Sequence, residues 1–207
     1  TLGAGWAALL FALHPINTEP LNYISSRSEI LSGLFFLLAF WLYLQDGQKG
    51  RVPWGCAMGA FVLALLSKSI AIVLPAVVVV HAVLFGLLYR RETKRLVAGL
   101  TLIGAAYIFG VWQFIARATI DQPVRGYDEQ IWTQVKALIF YVKMLIWPSG
   151  QSIDHQFLVS DSPFDPIAAP AFALLLSLLF VALRYRREHP ILAFSYAWFL
   201  LALAPSS

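Results

Sequence analysis

Between Leu13 and Glu29 the chain gathers one histidine, two carboxylates and an arginine (His14, Glu19, Arg27 and Glu29) together with Asn17, Asn22, Tyr23 and several hydroxyls, all between two apolar runs. Ionisable groups at the edge of apolar spans are costly unless they pair, meet water or hold a ligand. Such a set can bind a polar substrate, or it can simply cap two helices with Arg27 paired to Glu19 or Glu29. Backbone signals accompany it. Pro15 disfavours helical geometry at His14, so the first run is expected to end near Leu13, and Asn17 or Thr18 can cap a new helix with Pro20 in its first turn. On that helix Glu19, Tyr23 and Arg27 follow i, i+4, i+8, while Asn22, Ser26 and Glu29 follow i, i+4, i+7, which predicts a polar crown.

A second chemical spot is Ser67-Lys68-Ser69, where one lysine sits in a very short connection between apolar runs. It can snorkel to the membrane surface, or its ammonium can meet a phosphate. Asp154 and His155 follow Trp147-Pro148 in a polar loop and are either solvated or returned toward the crown. Thr133, Lys136, Phe140 and Lys143 follow i, i+3, i+7, i+10, a narrow basic stripe suited to lipid phosphate. His81, inside Val-Val-Val-Val-His-Ala, is expected to hydrogen-bond a neighbouring helix and to have no catalytic role. No Gly-x-Ser-x-Gly, Walker or His-Glu-x-x-His motif occurs, and the four histidines lack metal-ligand spacing. No metal, no cofactor and no nucleic-acid partner is expected.

The elements that must position these groups are helices in a membrane. Of the 207 residues, 59% are hydrophobic and 13% charged, against roughly a quarter charged in soluble domains. Apolar runs at 1–13, 21–44, 53–66, 70–89, 96–116, 166–183 and 190–203 are candidate spans of about 30 Å of hydrocarbon. Connectors 45–51, 90–95 and 184–189 hold nine of the fifteen Lys and Arg, which predicts that they face the cytoplasm. The crown, Lys68 and loops 117–130 and 148–165 then share the other side. Segment 131–147 is expected to lie along the interface or re-enter, since both its ends fall on one face. The fold class expected is all-α, a polytopic transmembrane bundle with one interfacial or re-entrant amphipathic helix. Cys56 has no partner in the chain. The chain opens on Thr1 within an apolar run and ends at Pro205-Ser206-Ser207, so residues 1–207 are expected to be one membrane domain truncated at both ends.

His14-Pro15-Ile16-Asn17-Thr18-Glu19 followed by Arg27-Ser28-Glu29 resembles the membrane part of the O-mannosyltransferase-like family with transmembrane and tetratricopeptide-repeat regions. Leu65-Leu66-Ser67-Lys68-Ser69 with Leu74-Pro75 is similar to its Leu-Ser-Lys-Glu turn, and Tyr141-Val142-Lys143-Met144-Leu145 to Pro148 is similar to its Tyr-Leu-Arg-x-Leu…Pro stretch. Ile153-Asp154-His155 and Trp198-Phe199 to Pro205-Ser206-Ser207 match further motifs in order. Ser69 replaces the family's usual Glu, and Lys143 stands where Arg is common.

The resemblance implies a GT-C-like membrane glycosyltransferase that moves a sugar, by the family's label mannose, from a polyprenyl-phosphate carrier to an acceptor hydroxyl on protein or glycan at the non-cytoplasmic face. It implies an integral multi-pass protein of a bacterial inner membrane or the endoplasmic reticulum. Lys68 and Lys143 would hold the lipid phosphate with help from Arg27. His14, Glu19, Glu29, Asp154 and His155 would shape the pocket or bind sugar or acceptor. The catalytic carboxylate is expected upstream of Thr1. The rival expectation is a transporter or flippase of a lipid-linked or small polar solute, against which stands the gathering of ionisable groups at one face rather than at the midplane.

Overall fold

The computed structural model describes residues 2–15, 26–49, 54–118, 127–148, 166 and 168–204. Among these there is helix and no strand. The elements are α1 (Leu2–Leu13), α2 (Arg27–Lys49), α3 (Trp54–Ser67), a 3-10 segment (Ser69–Val73), α4 (Leu74–Leu84), α5 (Arg91–Ala118), α6 (Tyr127–Ile146), α7 (Ala168–Arg184) and α8 (Pro190–Leu203). The chain divides into two compact units, 28–120 with 178–207 and 1–27 with 121–177.

The larger unit is built on helical stripes. Ala57, Ala60, Phe61, Ala64 and Leu65 of α3 are buried, and so are Leu74, Val77, Val78, His81 and Ala82 of α4. Both sets follow i, i+3, i+4, i+7, i+8, which gives each helix one continuous packing face. α2 adds Ala39, Phe40 and Tyr43, and α5 adds Leu96 and Leu100. At Gly99 an added Cβ would lie 2.5 Å from Cε of Met58, so glycine lets α5 approach the Met58 side chain closely.

The outside of this unit is also apolar. Segments Arg27–Gln45 and Arg91–Trp112 are long and apolar enough to cross a membrane, yet only 22% and 17% of them is buried. Leu31, Leu34 and Trp41 lie exposed on α2. Helices that are hydrophobic all round without being covered by protein suit a lipid environment.

Two local departures from the expected run at 70–89 have physical causes. The segment opens as a 3-10 turn and becomes α-helix only at Leu74. Pro75 lacks an N–H, and its ring crowds the carbonyl four residues back, at Ala71, so an α-helix cannot extend smoothly upstream. At the other end α4 stops at Leu84, where Gly86 takes φ 69° and the Leu87 amide donates to the Ala82 carbonyl at 2.7 Å. The residues Arg91–Arg95, expected in a connector, form the first turns of α5.

The buried histidine has the expected kind of partner. His81 Nδ1 and the Tyr43 hydroxyl of α2 share a hydrogen bond of 2.9 Å. Around them Phe85 stacks on the imidazole at 4.5 Å, with Phe40 and Phe194 meeting it edge-on at 5.6 and 5.2 Å. A polar pair sealed by rings fixes how α2, α4 and α8 meet.

In the other unit α1 buries none of its residues, and it ends at Leu13 just before Pro15, as the proline predicts. Val135 of α6 packs with Ala171 and Leu175 of α7, and Trp132 meets Phe172 edge-on at 5.6 Å.

Candidate functional site

Lys68 is presented by a break in the backbone. Its amide still donates to the Ala64 carbonyl at 2.9 Å, the last bond of α3. The residue itself then turns extended, with φ −158° and ψ 137°, before the 3-10 turn begins. Ser32 of α2, 2% exposed, holds this break: its hydroxyl donates to the Ala64 carbonyl at 3.2 Å and lies 3.5 Å from the Lys68 carbonyl. One turn before Ser32 on the same face of α2 stands Glu29. Lys68 Nζ donates to Glu29 Oε1, and the two side chains are 40% and 44% exposed. They therefore form a pair that an incoming ion can reach.

Beneath the pair runs a groove of about 410 Å³. Ser32, Gly33, Phe36 and Leu37 of α2 form one wall, and Ile70, Ala71, Val73, Trp198 and Ala202 complete it. The positions Glu29, Ser32, Gly33, Phe36 and Leu37 follow i, i+3, i+4, i+7, i+8, so a single face of α2 supplies both the charge and the apolar wall. The Phe36 and Trp198 rings meet edge-on at 5.6 Å. A Cβ at Gly33 would meet nothing within 4 Å, so the groove is open at that point. Among its described lining residues Glu29 and Lys68 are the charged ones. The chemistry offered is a cation and an anion at the mouth of an apolar trough, which fits a ligand with an ionic head and a hydrocarbon tail.

The long axis of this unit separates two kinds of charge. From Glu29 to Tyr43, α2 rises about 21 Å at 1.5 Å per residue, and Tyr43 meets His81 in the last turn of α4. Arg90, Arg91, Lys94 and Arg95 follow from there along the chain. Arg184, Arg186 and Arg187 precede Phe194, which stacks on Phe40 at 5.8 Å. The basic connectors thus leave from the end opposite the Glu29–Lys68 pair.

The other expected residues fare differently. His14 Nε2 lies 3.1 Å from the Leu145 carbonyl in the last turn of α6, so the ring caps a helix end, the same turn that carries Lys143. Lys143 is exposed there, and its carbonyl accepts from the Trp147 amide at 2.7 Å. The basic stripe on α6 is not continuous: Lys136 is only 8% exposed, whereas Lys143 is exposed. The Thr133 side chain lies outside the described residues.

Arg27 is exposed at the first residue of α2. Ser26 forms a turn before it, and the expected row through Glu19, Tyr23 and Arg27 has its first two members outside the described residues. Serine competes for backbone hydrogen bonds and favours such helix entries. Among the described residues Glu29 pairs with Lys68 rather than with Arg27. Glu19, Asp154 and His155 lie outside the described residues, as do Asn17, Thr18, Pro20, Asn22 and Tyr23. Reading the sequence alone also missed Gly33, Phe36 and Trp198 as the groove wall. The helical spacing from Glu29 to Leu37 was visible, whereas the closure by Trp198 is a long-range contact.

Comparison with known proteins gives partial matches to one group. The chain is 35% identical over 106 residues to Protein O-mannosyl-transferase TMTC3 of Mus musculus, covering 49% of this chain and 12% of that protein. It is 25% identical over 175 residues to Protein O-mannosyl-transferase Tmtc2 of Drosophila melanogaster, covering 74% of this chain and 19% of that one. A match to Protein O-mannosyl-transferase TMTC1 of Homo sapiens reaches 44% identity over 54 residues, 26% of this chain and 6% of the relative. The chain therefore spans less than a fifth of the length of the curated relatives it matches. No protein-family model matches it. No solved structure matches it either.

Proposed function

We propose that this chain, which belongs to the family of the TMTC protein O-mannosyl-transferases, is part of a polytopic membrane glycosyltransferase whose Lys68 groove receives the phosphate of a polyprenyl-phosphate sugar. The observation that carries the reading is the ammonium of Lys68 at the mouth of an apolar groove in a unit whose outer faces are themselves apolar. The phosphate would meet Lys68, and the first isoprenoid units would lie along Phe36, Leu37 and Trp198. The segregation of basic connectors away from the Glu29–Lys68 end supports an orientation with the groove on the non-cytoplasmic side.

In the reaction proposed, an acceptor hydroxyl oxygen on protein bonds to the anomeric carbon of the sugar. The bond from that carbon to the phosphate oxygen breaks with its electron pair left on phosphate, and the hydroxyl proton passes to a general base. Lys68 stabilises the charge that accumulates on the departing phosphate, an effect larger in the transition state than in the bound substrate. Mannose is the sugar proposed, from the names of the relatives. Lys143 and Arg27 remain candidates for further phosphate contacts, Glu19, Asp154 and His155 for contacts with sugar or acceptor. His14, tied to the end of α6, is assigned to holding that turn.

The test is transfer by the full-length protein from polyprenyl-phosphate mannose to an acceptor protein, compared with the Gly33→Leu variant. A leucine at Gly33 adds a side chain where the groove is open and improves helix propensity by about 1 kcal/mol. Transfer that the wild type carries out and the folded variant loses supports the reading. Transfer unchanged in Gly33→Leu removes the groove from the reaction. Counterflow of a labelled solute in liposomes without any transfer would favour the transporter.

A further inference from the structure

We infer that Glu29 is a built-in competitor for Lys68 that tilts the groove toward the sugar-loaded carrier and away from the spent one. The inference rests on the reading of the groove as a lipid-phosphate site and deepens it. Glu29 and Lys68 are the charged residues among the described lining of the groove, and they are paired with each other. Any anionic head that takes the ammonium must displace or share it with a carboxylate fixed in the first turn of α2.

The carboxylate acts unequally on the two forms of the carrier. A glycosyl phosphodiester carries one negative charge, whereas the monoester left after transfer carries about −1.5 to −2 near neutral pH. An unopposed lysine would hold the monoester more tightly, and the product would clog the groove. Glu29 repels both forms, but the more highly charged one more strongly. When the monoester leaves, the carboxylate retakes the ammonium, which is the pair seen in the structure. Glu29 is on this account a specificity-determining residue that acts through its charge. Nothing in its role requires that it touch the sugar.

Half-exposed ion pairs are worth up to about 1 kcal/mol, or roughly fivefold in affinity. In Glu29→Gln, binding of a short polyprenyl monophosphate to the full-length protein in nanodiscs is therefore expected to tighten about fivefold. Binding of the matching glycosyl phosphodiester should tighten about twofold, so that the preference for the diester falls. Glu29→Asp, which keeps the charge but withdraws it by one methylene, should shift both affinities in the same direction by less. It serves as the check if the glutamine variant fails to fold. Lys68→Ala, measured alongside, should weaken both ligands.

If Lys68→Ala weakens both while the Glu29 variants leave the monoester affinity unchanged or reduced, the competitor role is overturned and the groove assignment stands. If Lys68→Ala changes neither affinity, the groove assignment falls and the role of Glu29 falls with it. A competing structural role, in which Glu29 merely steadies Lys68, predicts weaker monoester binding in Glu29→Gln, opposite in sign to the inference.

Discussion

Lys68→Ala in the full-length protein is expected to lower kcat/KM for transfer from a polyprenyl-phosphate sugar by about 100-fold, with most of the loss in kcat. Removing a single preorganised donor aimed at developing negative charge costs on the order of 10²–10³ in rate. The lower end applies here because Lys68 is 40% exposed and water can replace part of its effect. Lys68→Arg should recover much of the rate. A guanidinium preserves the charge, but its planar fork is longer and presents its donors differently from a compact ammonium. The backbone break at residue 68 is held by carbonyl and amide groups, so the alanine variant keeps the groove. Its thermal unfolding should therefore match wild type while its rate does not, and an equal fall in both would mean that Lys68 is structural.

Phe40→Ala is the second large effect, and it falls on stability. The Phe40 ring meets Tyr43 at 5.7 Å, His81 at 5.6 Å, Phe194 at 5.8 Å and Trp198 at 5.1 Å. It joins α2, α4 and α8 around the one buried histidine of the described residues. Truncating a buried phenylalanine typically costs about 3–5 kcal/mol through lost contacts and the void left behind. In a membrane the loss is mainly one of packing, since lipid is as apolar as the ring's own surroundings. The melting transition of the full-length protein in detergent is expected to fall by about 10 °C. Leu31→Ala, on the outer face of α2 at 48% exposure, is the control. It should stay within about 0.5 kcal/mol of wild type. Trp198, which touches Phe40 and also walls the groove, gives Phe40→Ala a secondary effect on transfer through a displaced wall.

The helices α3 and α4 were legible as the apolar runs 53–66 and 70–89, but not which face of each packs, because both are apolar all round. Three alanines with Phe61 and Leu65 mark the inner face of α3, while Leu63 and Leu66 face outward. The end of α1 was legible from Pro15, and the partnership of His81 followed from the cost of an unpaired polar group in an apolar run. The 3-10 turn after Lys68 was signalled by Pro75 but was outweighed by the length of the apolar run. What the sequence could not supply is long-range. Glu29 and Lys68 are 39 residues apart, and Arg27 stood nearer in the chain as a partner for the carboxylate. Lys136 was placed with Lys143 on one basic stripe by helical spacing, yet Lys136 is buried and Lys143 exposed. Ser32 was passed over because a lone serine in a span carries no motif. Its hydroxyl is nonetheless what ties α2 to the carbonyls around Lys68.

Photo-crosslinking can locate the lipid phosphate in the groove of Glu29, Phe36 and Trp198. A polyprenyl phosphate with a photoreactive group in its first isoprenoid units is incubated with the full-length protein in nanodiscs, irradiated, and the adducts are mapped by mass spectrometry. If the lipid phosphate binds in the groove, adducts are expected on Phe36, Leu37 and Trp198, disappearing with excess unlabelled polyprenyl phosphate and weakening in Lys68→Ala. Adducts scattered over the outer faces of α2 and α5, unaffected by competitor and by Lys68→Ala, would contradict it.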